Sequence, residues 1–295
     1  MLNVNLKNQL ELHLIVFIWG FTAILGQLIT LDALPLVFTR IALAVFVILI
    51  YLKFKKKKLA LKTSDILRLF IYGFVIALHW LTFFHAIKIS NISITLACIS
   101  TGAFFTSLLE PIFYKRKLIW YEVLLGCMVV LGLLLIFRFE TQYKMGIVVA
   151  LISAFLSACF SIINGKLAGK HDSVVISFYE LLGGLCLLGV FLFYQDGVAA
   201  FQFEFQPLDY LWLSILGIVC TAYPFIATIN IMKHLTPYTV MLSINLEPIY
   251  GILLAVILFK DQERMTPAFY FGAVIILSTV LLNAYFKNRK KLLNK

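Results

Sequence analysis

The chain has 295 residues, 62% of them hydrophobic and only 13% charged, with a mean hydropathy of +0.99. No soluble core of this length hides so much apolar surface, so a water-soluble globular protein is excluded and an all-α membrane protein is expected. A net charge of +11 would suit a nucleic-acid binder, but membrane proteins gather Lys and Arg in cytoplasmic loops, so the position of the charges has to decide.

A polar lead, Met1 to Glu11, precedes an apolar run from Leu12 to Leu31. That run is too long for the core of a signal peptide and lacks a small-residue cleavage site, so it is expected as a retained first membrane helix. Apolar runs divided by polar turns predict ten spans, at about 12–30, 34–53, 66–86, 91–114, 119–137, 145–169, 173–194, 208–232, 237–259 and 266–286. Connections such as Leu31-Asp-Ala33 and Lys88-Ile-Ser90 are so short that they can join only antiparallel neighbours. The five cysteines fall singly in apolar runs, without a C-x-x-C pair, and the five histidines show no H-E-x-x-H spacing. No metal or cofactor pattern is present.

With a cytoplasmic N-terminus, nineteen of the 25 Lys and Arg residues fall in inside segments, five in outside segments, and Arg40 within a span. Such a bias predicts both termini in the cytoplasm and an even number of crossings. It also explains the positive charge without nucleic acid. The Lys55–Lys58 run reads as an inside anchor next to anionic lipid.

The halves resemble one another. Asp32, Phe38 and Arg40 correspond to Asp172, Phe178 and Glu180 at an offset of 140. Thr82, Leu96, Phe113, Gly126 and Leu131 correspond to Thr228, Leu242, Phe259, Gly272 and Leu277 at an offset of 146. Five spans per half is an odd number, so the second half enters the membrane in the opposite sense. The expected architecture is therefore ten transmembrane helices as two inverted five-helix repeats, 12–137 and 145–286, with a site near the midplane between them.

Polar residues inside the spans mark the candidate site. Glu247-Pro248 lies in the middle of the ninth span, where a carboxylate costs on the order of 3 kcal/mol. It reads either as the lining of a transport site, with Glu247 the candidate proton-responsive group, or as a packed kink. Arg40 stays charged and needs a carboxylate, carbonyls, water or an anionic substrate beside it. Glu180 is its repeat counterpart, but the two differ in depth by roughly 10 Å at 1.5 Å per residue. They read as bracketing a zwitterion or, for Glu180, as lining a wet vestibule, rather than as one ion pair. His79 is either a substrate contact or a packed histidine. Trp19, Trp80, Tyr179 and Tyr223 are candidate cavity walls, and Asn245 a hydrogen-bonding wall residue. Gly126 to Gly132 and Gly183-Gly184 permit close helix approach, within the chain or in a homodimer.

Leu235-Thr-Pro237, Leu246-Glu-Pro248, Phe259 and Gly272 with the apolar Ala273–Leu282 tail resemble the second-repeat signature of EamA-type members of the drug/metabolite transporter superfamily. Arg40 and Phe105-Thr-Ser-Leu-Leu-Glu-Pro111 resemble the first repeat, and the likeness covers about residues 12–285. Thr101-Gly102 stands where Glu247-Pro248 would align, and Lys260-Asp261 replaces a frequent Gly-Glu. The resemblance implies a secondary transporter in the bacterial inner membrane, without cofactors. It would move small metabolites, amino acids or related compounds among them, by alternating access. The rivals are a passive channel or structural membrane subunit, and an intramembrane enzyme, for which no nucleophile–base set is visible.

Overall fold

The computed structural model describes residues 4–293 except 116, 118 and 245, with backbone alone at 4, 5, 122, 123, 237, 238, 242, 261, 280, 283, 284 and 287–293. Among the described residues the chain is helical, with no β-strand and one isolated bridge between Ala168 and His171. The helices are α1 (Val4–Leu28), α2 (Ala33–Phe54), α3 (Thr63–Ile89), α4 (Ile92–Ile99), α5 (Gly102–Tyr114), α6 (Trp120–Phe139), α7 (Lys144–Leu167) and α8 (Ser173–Asp196). They continue with α9 (Pro207–Ser214), a π-helical segment at Ile215–Ala222, α10 (Tyr223–Ile231), α11 (Pro237–Ile244), α12 (Glu247–Phe259) and α13 (Pro267–Leu293).

Among the described residues, seven stretches are long and apolar enough to cross a membrane by length and composition. Two of the seven join separate α-helices, α4 with α5 and α9 to α10. Three shorter apolar helices, Leu124–Phe139, Glu247–Phe259 and Pro267–Thr279, occupy the positions of the fifth, ninth and tenth expected spans. The ninth is split because α11 stops at Ile244 and α12 starts at Glu247. Pro248 therefore sits in the first turn of α12, where a missing N–H costs nothing. It does not kink a continuous helix, as the sequence suggests. The fourth is broken at the corresponding place, between Ile99 and Gly102.

The two ends of the bundle are held differently. At one end the Lys57 ammonium pairs with Asp172 at 2.6 Å, in the open, with side chains 34% and 43% exposed. At the opposite end three carboxylates are buried against backbone donors. Asp209 accepts from the Thr30 N–H (2.8 Å) and hydroxyl (2.6 Å). Glu140 accepts from the Thr266 N–H (3.1 Å) and hydroxyl (2.7 Å). Glu263 accepts from the N–H groups of Ile92 (3.0 Å) and Ser93 (2.9 Å), while the Asn91 side chain accepts from Ile94 (2.9 Å). With Thr95 N–H on the Asn91 carbonyl, every donor of the first turn of α4 is satisfied. These donors lie where the helix dipole favours an anion.

Small residues set the tightest packing. Gly183 and Gly184 of α8 lie against Phe70 and Gly73 of α3, so closely that a Cβ on Gly183 would run into the Phe70 backbone. Gly132 of α6 faces Gly272 of α13 in the same way, and Gly126 faces the Phe104 ring. The glycine faces are thus used within the chain. Gly183→Ala is expected to destabilise the protein by about 1–3 kcal/mol, because backbone cannot yield to an added methyl group. Gly189→Ala, whose added carbon meets only a Phe38 ring atom at 3.5 Å, should be close to neutral. Thermal unfolding of both variants in detergent checks the pair.

Candidate functional site

The breaks and the π segment converge on one cavity. It is partly enclosed, with about 770 Å³ of non-atom space that includes the open solvent at its mouth. Its walls come from α1 (Trp19, Thr22), α2 (Arg40), α3 (Ile76 to Phe83), the end of α4 (Ile99), α7 (Ser157 to Ser161), α10 (Phe225 to Met232), α11 (Met241, Ile244) and Glu247. The span that starts at Pro207 begins at the carboxylate-sealed end, where Asp209 meets Thr30. Its C-terminal residues therefore lie toward the Lys57 end, and the cavity reaches that way as far as Met232.

Arg40 is 1% exposed. Its Nε–H donates to the Thr221 hydroxyl at 2.6 Å, and that hydroxyl donates to the Leu216 carbonyl at 2.6 Å, five residues back in the π segment. The guanidinium lies 4.0 Å from the centroid of the Trp80 ring and 5.4 Å from that of Phe84. Such contacts with ring faces partly replace lost hydration. Its Nη1 has no hydrogen-bond partner. α2 comes this close to the π segment because Gly217 packs on the Arg40 carbonyl and Leu43.

Glu247, 8% exposed, opens α12 at the cavity wall. The charges of Arg40 and Glu247 act on one another. No ion pair within 4.0 Å joins them among the described residues, so the space between stays open to a third group. Beside them lie further unpartnered atoms: Thr22 Oγ1, Ser161 Oγ and Thr228 Oγ1. With Arg40 Nη1, four of the eight buried polar side-chain atoms without a partner among the described residues belong to this one cavity wall. Native interiors leave few such atoms, and a cluster of them calls for an explanation. Most of the remaining lining is aromatic, aliphatic and thioether, with the Phe225 ring 5.8 Å from that of Trp80 and 5.3 Å from that of Phe160.

Five of the residues singled out in the sequence meet here: Arg40, Glu247, His79, Trp19 and Trp80. His79 is fixed through Nδ1, 2.9 Å from both the carbonyl and the hydroxyl of Ser153, while the Ser153 hydroxyl also donates to the His79 carbonyl. Three others lie outside the cavity. The Tyr179 hydroxyl donates to the Leu59 carbonyl at 2.8 Å, tying α8 to the lysine-rich connection. Tyr223 is 45% exposed and bonds Glu11 at 3.4 Å. Glu180 is fully buried beside Asn164, 3.3 Å from its Nδ2, so it faces neither Arg40 nor a wet vestibule. Asn245 lies outside the described residues. The hydroxyls of Thr22, Ser157, Ser161 and Thr228 are site features that sequence reasoning passes over, because isolated Ser and Thr are common in membrane helices.

A helical bundle with stretches of membrane-crossing length, wrapped around a partly enclosed, mainly apolar cavity with a few buried polar groups, defines a multi-pass membrane protein built around an internal site. The model of the EamA-like transporter family matches residues 10–138 and again 144–285, and the chain belongs to that family. An uncharacterized transporter of Archaeoglobus fulgidus is 26% identical over 52% of this chain. The pseudopaline exporter CntI of Pseudomonas aeruginosa is 29% identical over 57% of it. These matches span only 52% and 59% of the relatives' own lengths. One solved crystal structure shares the fold with a TM-score of 0.67 at 16% identity, over 93% of this chain and 95% of that one.

The Arg40–Thr221–Leu216 relay should be stability-critical. Thr221→Val leaves a buried charged donor unpaired, at an expected cost of about 1–3 kcal/mol, and Thr221→Ser should restore most of it. The unfolding temperatures of the two variants in nanodiscs check this.

Proposed function

We propose that the protein is a secondary transporter that moves small metabolites across the inner membrane by alternating access, with amino acids or related zwitterions as its substrates. The observation that carries this reading is the pairing, in one cavity, of a desolvated guanidinium with a free Nη1 and a carboxylate that does not neutralise it directly. A ligand carboxylate fits the first and a ligand ammonium the second, each by a charge-assisted hydrogen bond. The aromatic and methionine walls suit an apolar body. Export is the favoured direction, because one relative is named an exporter.

The architecture we propose for this cycle is two inverted five-helix repeats, 12–137 and 145–286, crossing ten times with both termini in the cytoplasm. The family match falls in two blocks with nearly these bounds. The helix pairings also exchange between halves: α3 packs on α7 and α8, as the α9–α10 span packs on α1 and α2. α6 packs on α13, and α4 on α12, across the division. On this topology the Lys57 end is cytoplasmic and the carboxylate-sealed end external, so the cavity extends inward. Alternation would then require the Asp209 and Glu263 contacts to release.

Thr101, at the repeat position of Glu247, is buried with its hydroxyl on the Cys98 carbonyl, away from the cavity walls. In proteoliposomes, saturable amino-acid uptake is expected, with Glu247→Gln and Arg40→Ala each lowering it by about ten- to hundredfold, the scale of a lost charged hydrogen bond. Thr101→Val should retain most activity. Full activity in both charge variants would remove the site from the cycle, flux that does not saturate would favour a channel, and a C-terminal reporter outside the cell would overturn the topology.

A further inference from the structure

A second polar cluster lies outside the cavity, between α7 and α8. Glu180 and Asn164 are both 0% exposed. The Asn164 Nδ2 donates to Glu180 Oε2 at 3.3 Å and approaches the Phe160 carbonyl at 3.4 Å. The other two oxygens of the pair, Glu180 Oε1 and Asn164 Oδ1, have no partner. Two acceptors on facing carboxyl and amide groups, with no donor between them, are matched by a single O–H. One proton on Oε1 would remove the carboxylate's charge and supply the hydrogen that Oδ1 lacks, closing the pair with one hydrogen bond in each direction.

The surroundings favour a proton over a larger cation. A metal cation of the sodium or calcium kind draws on several oxygens, commonly six to eight for calcium, and only two are free here. Nor does any cationic side chain compensate a carboxylate. α8 packs against α2, α3, α10 and, through Asn164, α7. Arg40 of α2 is held by Thr221 and Trp80, and His79 of α3 by Ser153. Asp65 and Arg68 of α3 face each other at 3.8 Å. Lys166 of α7 lies over Phe113 and Tyr114, and Tyr223 of α10 reaches Glu11. No charged group acts on Glu180.

The cluster is also connected. Ser157, Ser161 and Asn164 fall at i, i+4 and i+7 of α7, on one face. The first two line the cavity, and Ser161 Oγ is itself unpartnered. Ser161 and Asn164 are separated by about 4.5 Å of helix rise, a step that one hydroxyl or water spans.

We propose that Glu180 and Asn164 form a buried proton-binding site, distinct from the substrate cavity and joined to it along the serine face of α7, through which transport is coupled to proton movement. Uptake converts the carboxylate to the acid with Oε1–H donating to Asn164 Oδ1, and release returns the proton along the same face. The coupling role rests on the carrier function proposed above; the site itself does not.

Infrared spectroscopy of the full-length protein in nanodiscs separates the two. A protonated-carboxyl C=O stretch is expected at neutral pH, with a component lost in Glu180→Gln, kept in Glu247→Gln and shifted in Asn164→Leu. Glu180→Gln copies the protonated form and is expected to fold. If Glu180→Gln removes no component, or if exchanging Na⁺ for choline at constant pH changes it, the proton site is overturned. In proteoliposomes, Glu180→Gln should still exchange labelled amino acids but lose accumulation driven by an imposed pH gradient. Gradient-driven accumulation equal to the unmodified protein overturns the coupling. A protein that moves no amino acid yet shows the Glu180 band refutes the proposed substrate class and leaves the proton site standing.

Discussion

In hydrocarbon, every backbone N–H and C=O must find its partner within the protein, at several kcal/mol for each failure. That constraint governs where this chain can be irregular. Outward-facing residues such as Phe46 and Leu253, at 60% and 59% exposure, sit on regular helix, while Ile218 and Val219, at 41% and 49%, sit on the hydrogen-bonded π segment. The break between Ile99 and Gly102, the π segment Ile215–Ala222 and the break between Ile244 and Glu247 lie within or next to elements that wall the cavity. Broken backbone is tolerated there because side chains take over the lost pairing. Thr221 does so for the Leu216 carbonyl, and in the same contact it receives Arg40.

The same constraint explains the asymmetry between the bundle's ends. Asp209, Glu140 and Glu263 are each about 1% exposed. Burying a carboxylate so deeply is tolerable only with several donors, and each has two or more, mostly backbone N–H groups at helix starts. Such contacts are all-or-none, since losing one donor leaves a charge unsupported. The Lys57–Asp172 pair is half in water, where exposed pairs contribute little. A firm seal at one end and a loose tie at the other suits a cavity that extends toward the Lys57 end.

Part of the architecture was legible in the sequence because hydrophobic length is a coarse, additive signal. Expected apolar runs reappear as helices, seven of the stretches long enough to cross a membrane among the described residues, and the short connections reappear as turns. The individual chemistry was legible only where the residue type is costly in a membrane. Arg40, Glu247 and His79 stood out for that reason, and they share the cavity. Glu180 stood out equally and lies elsewhere, since cost alone does not say which neighbour compensates it. Tyr179 and Tyr223 were named as aromatics, but their hydroxyls turn toward a loop carbonyl and a terminal-helix acid. The π segment left no readable trace: a one-residue widening of the helix does not disturb an unbroken apolar run.

The two halves share helix breaks but not chemistry. In the second half the break begins a helix with Glu247 in its first turn, where a carboxylate is favoured by the helix dipole. In the first half the break begins with Gly102, whose missing side chain admits Met241 from the opposite half. One break therefore presents a charge to the cavity, and the other accepts a side chain from across it. A structure with full internal symmetry would place two acids at the same depth, and the pair would repel or share a proton. Here one acid and one guanidinium, the latter held by the other half's π segment, line the same cavity without a second acid at the pseudo-symmetric position.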